Sequence, residues 1–112
     1  KKIMKERLFL VSDAVEAYNG GAYPHVAQND RFTLPDGTLS GSRLSMLQAV
    51  RNCVEYAGIP LDEALRMASG YPARLMGSVN YGFIKEGYKA NITVFDDHYS
   101  LKQVIVDGRF CL

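Results

Sequence analysis

The sequence predicts an α/β chain, and three stretches of it carry that reading. Leu8-Phe9-Leu10-Val11 is an uninterrupted apolar run, the middle of the chain repeats apolar positions every three to four residues, and residues 90–111 alternate with a period of two. The 112 residues are 47% hydrophobic and 22% charged, with a formal net charge of +1. That balance excludes disorder and describes one globular domain, since a chain of this size buries roughly 60–70% of its unfolded surface around a single core. It leaves no electrostatic footprint for nucleic acid or a membrane surface, because basic and acidic residues are interspersed. The one basic cluster is Lys1, Lys2, Lys5 and Arg7.

Residues 8–11 read as a strand covered on both faces, the kind found in parallel sheets and barrels, which needs parallel neighbours. The chain supplies no second strand of that type. It also begins at Lys1 rather than methionine, a few residues ahead of the run, so a preceding segment is expected to have been cut away. Residues 16–41 are dense in turn formers, among them Asn19-Gly20-Gly21, Tyr23-Pro24-His25 and Leu34-Pro35-Asp36-Gly37. A loop of about two dozen residues in a compact domain is either functional or disordered. Within it Arg31-Phe32-Thr33-Leu34 alternates as a small strand.

Ser42 is expected to cap a helix over residues 43–57, with Leu44, Leu47, Val50, Val54 and Ala57 on one stripe and Gly58 ending it. Pro60 opens a second helix whose first turn carries Asp62 and Glu63, where carboxylates complement the helix dipole. Gly70 is expected to interrupt it, Pro72 to reopen a turn through Met76, and Gly77 to close that turn. Residues 90–95 and 101–106 read as strands, and Asp107-Gly108 suits a type I′ turn into Arg109-Phe110-Cys111. No internal repeat is present. No run reaches the ~20 apolar residues that cross a bilayer and no secretory leader is evident, so a cytoplasmic setting without membrane partners is expected. Cys53 and Cys111 form neither a CxxC knuckle nor a disulfide framework.

Asp13 is the strongest candidate for chemistry, because it stands at the carboxyl end of the apolar run and opens the long loop. An aspartate there equally serves to turn the chain after a strand. The segment Gly37-Thr38-Leu39-Ser40-Gly41-Ser42 leads into the expected helix start, where free backbone N–H groups favour an anion, although a loop plus a helix cap reads the same. It lacks the lysine of a phosphate-binding GxxxxGK[ST] loop, and Ser40 and Ser42 lie in no G-x-S-x-G pattern. His25 and His98 have no second ligand at metal spacing, so no complete metal site is expected in this chain. Cys53 reads as helix packing, and Arg66, Tyr71 and Arg74 as residues that bridge elements.

Five motifs taken together resemble the N-acetylglucosamine-6-phosphate deacetylase family of the amidohydrolase superfamily. They are Leu10-Val11-Ser12-Asp13-Ala14, Asp36-Gly37-Thr38-Leu39-Ser40-Gly41-Ser42, Ala49-Val50-Arg51-Asn52, Ala64-Leu65-Arg66-Met67-Ala68-Ser69 with Tyr71-Pro72-Ala73-Arg74, and Lys89-Ala90-Asn91-Ile92. They span residues 8–109 in the family's order and match its closing third. The resemblance implies the C-terminal part of a TIM (β/α)8 barrel, with its last strand, active-site loop and helices in residues 1–80, and C-terminal strands of a small β-sandwich in residues 81–112. It also implies hydrolysis of the acetamide of N-acetylglucosamine 6-phosphate to glucosamine 6-phosphate and acetate. Asp13 matches the family's catalytic aspartate, general base and then acid toward the metal-activated water and the leaving amine. Leu39, Ser40 and Gly41 match its substrate-contacting segment. A divalent metal ion (zinc, iron or similar) is implied, but the family's glutamate and two histidine ligands lie on earlier strands and match nothing here, His25 included. The loop from Asp13 to Gly37 is shorter than the family's and carries Asn19-Gly20-Gly21-Ala22 in place of a proline-glycine turn.

The chain is therefore expected to be a C-terminal fragment, inactive alone, whose apolar run leads to self-association or rearrangement, and a homo-oligomer is expected. Two alternatives stand beside this reading. One is a non-catalytic domain that binds a sugar phosphate or a partner chain through the loop and helix start. The other is an amidohydrolase acting on a different amide, which would share the barrel and the aspartate but not Gly37-Thr38-Leu39-Ser40-Gly41-Ser42.

Overall fold

The computed structural model describes residues 2–14, 26–27, 31–33, 39–42 and 44–112. They form two compact units, one of Lys1–Leu10 with Val50–Leu112 and one of Val11–Ala49.

In the second unit, β1 (Val26–Ala27), β2 (Arg31–Thr33) and β3 (Leu39–Ser42) make an antiparallel sheet in the order β1-β2-β3. The strand expected from Arg31-Phe32-Thr33-Leu34 is present as β2. Its neighbours are too short for a period-two search to find among turn formers. Phe32 opposes Gly41 while the next residue, Thr33, opposes Leu39, so Ser40 is the extra residue of a β-bulge. His25, the Asn19-Gly20-Gly21-Ala22 turn and Gly37-Thr38 lie outside the described residues.

Helix α1 (Met46–Glu55) starts later than the sequence suggested. Ser42 belongs to β3, and the Ser45 hydroxyl accepts the Gln48 N–H at 3.1 Å. Ser45-Met46-Leu47-Gln48 has the serine and glutamine spacing of a capping box, which favours Ser45 over Ser42 as the helix start.

In the first unit, α2 (Leu61–Leu65), a π-helical turn (Arg66–Gly70) and α3 (Tyr71–Leu75) follow without a break. Gly70 does not interrupt this helix: its φ of -64° and ψ of -46° are helical. What Gly70 supplies is room, because a Cβ there would fall 2.8 Å from the tip of the Phe83 ring. The returning chain also brings Gly82 against Ala73, where a Cβ would fall 2.7 Å from that of Ala73. Gly82 has a φ of +95°, open to glycine and strained for other residues. Ala64, Met67, Gly70 and Tyr71 are buried at three- and four-residue spacing, and this stripe makes up the core of the unit together with Val50. The helix closes as expected at Gly77: the Ser78 N–H reaches the Ala73 carbonyl at 3.0 Å and the Gly77 N–H the Arg74 carbonyl at 3.1 Å, the Schellman arrangement.

Residues 8–10 are half-buried and Val11 is 68% exposed, with no strand pairing at residues 8–11 among the described residues. The cover expected on both faces needs parallel neighbours, and the described strands are antiparallel pairs elsewhere in the chain. Leu10 is held instead by one backbone bond, from its N–H to the Met67 carbonyl at 2.9 Å.

The tail forms a second antiparallel sheet, β4 (Ile92–Phe95), β5 (Leu101–Val106) and β6 (Arg109–Phe110), in that order. Val106 opposes Arg109, and Asp107 and Gly108 have φ of 50° and 76°, the type I′ turn that the dipeptide predicts. Between β4 and β5, Asp96 Oδ1 accepts the N–H groups of His98 and Ser100, both at 2.9 Å, and the Tyr99 ring stacks on Phe95.

Candidate active site

Asp13 is exposed and left-handed, with a φ of 51°. Short polar side chains tolerate that conformation best, and the turn around it is closed by the Ser12 hydroxyl, which accepts the Ala14 N–H at 3.2 Å. The apolar run thus ends in a sharp turn with a carboxylate at its apex. A carboxylate so placed can accept a proton from water and return it to a leaving group. The matched substrate segment, Leu39, Ser40 and Gly41, belongs to the same compact unit as Asp13 and carries the β3 bulge at Ser40. Its backbone is engaged in the sheet, so the helix start expected at Ser42 lies at Ser45, whose hydroxyl accepts the Gln48 N–H.

The other candidates fall elsewhere. His98 is exposed on the β4–β5 turn. Lys102 pairs with Asp96 at 3.2 Å, and the Asp96 carboxyl is held below the usual carboxylate range, first by the Ser100 N–H and then by Lys102 and the His98 N–H. Cys53 is half-buried and Cys111 exposed, both free thiols. Among the described residues no three His, Cys, Asp or Glu side chains gather as a metal site. No helix of the described residues is long and apolar enough to cross a membrane.

Glu63 gathers Arg66 and Tyr71 on the one continuous helix, and only Arg74 makes the expected bridge between elements, to Glu6 at 3.2 Å. Tyr71 donates to both Glu63 oxygens at 2.8 and 3.0 Å, while Arg66 Nη2 donates to Glu63 Oε2 at 2.8 Å and to Asp62 Oδ2 at 3.0 Å. These contacts, Glu63 foremost, then Tyr71 and Asp62, raise the Arg66 pKa above its ordinary value. The role of Glu63 was missed from sequence, where it read only as a first-turn carboxylate. Its spacing to Arg66 and Tyr71 on one helix face was the available signal. An open pocket of about 330 Å³ lies beside this helix, lined by Arg74, Ser78, Tyr81, Phe83, Lys85 and Tyr88. None of the matched site residues contributes to it.

The model of the Amidohydrolase family matches residues 4–111, nearly the whole chain. This chain belongs to the amidohydrolase family. The N-acetylglucosamine-6-phosphate deacetylase of Haemophilus influenzae is 32% identical to it, over 98% of this chain and 32% of that protein. The N-acetylgalactosamine-6-phosphate deacetylase of Escherichia coli O157:H7 is 34% identical, over 94% of this chain and 30% of that protein. Among solved structures, the N-acetylglucosamine-6-phosphate deacetylase of Pasteurella multocida superposes with a TM-score of 0.84 at 31% identity, covering 97% of this chain and 31% of that one. This amidohydrolase chain therefore spans about a third of the length of these relatives.

Proposed function

We propose that this chain is the C-terminal third of a deacetylase that hydrolyses N-acetylglucosamine 6-phosphate to glucosamine 6-phosphate and acetate. The observation that carries the proposal is the likeness, in sequence and in fold, to deacetylases of that sugar phosphate over almost the whole chain. Residues 1–80 belong to the barrel and residues 81–112 to the sandwich in this reading. Asp13 is the working carboxylate: it takes the proton of the attacking water as the water oxygen bonds to the acetamide carbon. It then gives that proton to the nitrogen as the C–N bond breaks, releasing acetate and the free amine. Leu39, Ser40 and Gly41, at the β3 bulge, contact the sugar phosphate. A divalent ion supplies electrophilic activation in chemistry of this kind. The described residues of this chain do not assemble a ligand set for one.

The test is acetate release by this chain fused to the N-terminal two thirds of the Haemophilus influenzae relative. The folded fusion is expected to release acetate from N-acetylglucosamine 6-phosphate and the isolated chain none. The galactosamine epimer, named for the Escherichia coli O157:H7 relative, serves as the competing substrate. A folded fusion that binds N-acetylglucosamine 6-phosphate and releases no acetate would overturn the proposal in favour of a binding domain.

A further inference from the structure

We infer that the π-helical turn Arg66–Gly70, together with Pro72, is a positioning device that leaves the Met67 carbonyl free to hold Leu10 and so fixes where the chain leading to Asp13 departs. This rests on the reading of Asp13 as the working carboxylate.

In an α-helix the Met67 carbonyl would accept the N–H of Tyr71, four residues on. Here the Tyr71 N–H goes instead to the Arg66 carbonyl, five residues back. In a π register the partner of Met67 would be residue 72, which is proline and has no N–H. Neither helical donor therefore reaches this carbonyl. Met67 is 2% exposed, and a buried carbonyl left without a donor is costly. The Leu10 N–H fills the position at 2.9 Å.

The turn that presents the carbonyl is braced on both flanks. Arg66 and Tyr71 both bond to Glu63, and Phe83 lies on Gly70 so closely that a Cβ there would fall 2.8 Å from the tip of its ring. A second tie joins the same two segments, with Arg74 Nη1 3.2 Å from Glu6 Oε2, although that pair is exposed and weak. Tyr71-Pro72-Ala73-Arg74 thus contributes a brace, a missing donor and a salt bridge within four residues. Leu10, the residue held, stands three residues ahead of Asp13.

Pro72→Ala tests the device, because it restores the competing N–H and places a better helix former in the helix. On the full 112-residue chain, NMR of the wild type is expected to show a slowly exchanging Leu10 amide and an Asp13 amide with an order parameter near the rigid value of about 0.85. In Pro72→Ala, Leu10 exchange is expected to accelerate about tenfold or more and the Asp13 order parameter to fall below about 0.6, while the unfolding midpoint does not fall. A rapidly exchanging Leu10 or a mobile Asp13 in the wild type overturns the inference without any variant. So does an unchanged Leu10 in Pro72→Ala, acceleration at Leu10 with Asp13 still rigid, or a uniform loss of protection with a lower midpoint. Failure of the Asp13 reading is separate: it would appear as ordinary turnover of Asp13→Asn in the fusion, with these amide results intact.

Discussion

Between Ala64 and Tyr71 the continuous helix buries Ala64, Met67, Gly70 and Tyr71, whereas no residue of β4, β5 or β6 is buried. The helix is held by side-chain packing and by the polar cluster around Glu63. The sheet is held by its backbone ladder, the Asp107-Gly108 turn and the Asp96 side chain at the opposite end. A small sheet without a buried face is marginal by itself, so the contrast locates the stability of this unit in the helix.

That contrast can be broken at single residues. Met67→Ala is expected to cost about 2–5 kcal/mol in chemical denaturation, the range for emptying a fully buried apolar site. Ile105→Ala, at a half-buried position of β5, is expected to cost nearer 1 kcal/mol. Equal costs at the two positions would mean that the sheet carries as much of the core as the helix. Gly108→Ala is expected to cost about 1 kcal/mol, purely through the backbone, because a Cβ there meets nothing within 4 Å while the φ of 76° strains any other residue. The smallest effect is expected at Asp96. Its folded carboxyl titrates below the ordinary value, so its contribution is present above the unfolded pKa near 3.9 and is lost as pH falls through the lower folded value. Thermal melts of wild type and Asp96→Asn should therefore differ at neutral pH and converge in strong acid. A difference that persists there would remove the ionic explanation.

Features set by local chemistry were legible in the sequence. Asp107-Gly108 needs only its own two residues to form its turn, and Gly77 closes a helix wherever one arrives. Features set by distant neighbours were not. Gly70 looked like a helix breaker because nothing nearby in sequence announces that Phe83 will lie on it. Ser42 looked like a cap because its place in β3 depends on pairing with Arg31. At the candidate site, Asp13 was singled out by the apolar run that precedes it, and that run forms no paired strand among the described residues. The left-handed turn at Asp13, the bulge at Ser40 and the carbonyl of Met67 all arise from backbone geometry that residue types alone do not encode.

The most direct measurement on the central claim is turnover of the fused protein with Asp13→Asn, a substitution that keeps the shape and tolerance of the left-handed turn while removing the base. Turnover on N-acetylglucosamine 6-phosphate is expected to fall by about 10²–10⁴ with KM nearly unchanged, the loss that follows removal of a general acid–base group. Turnover within about threefold of the unsubstituted fusion would contradict the account.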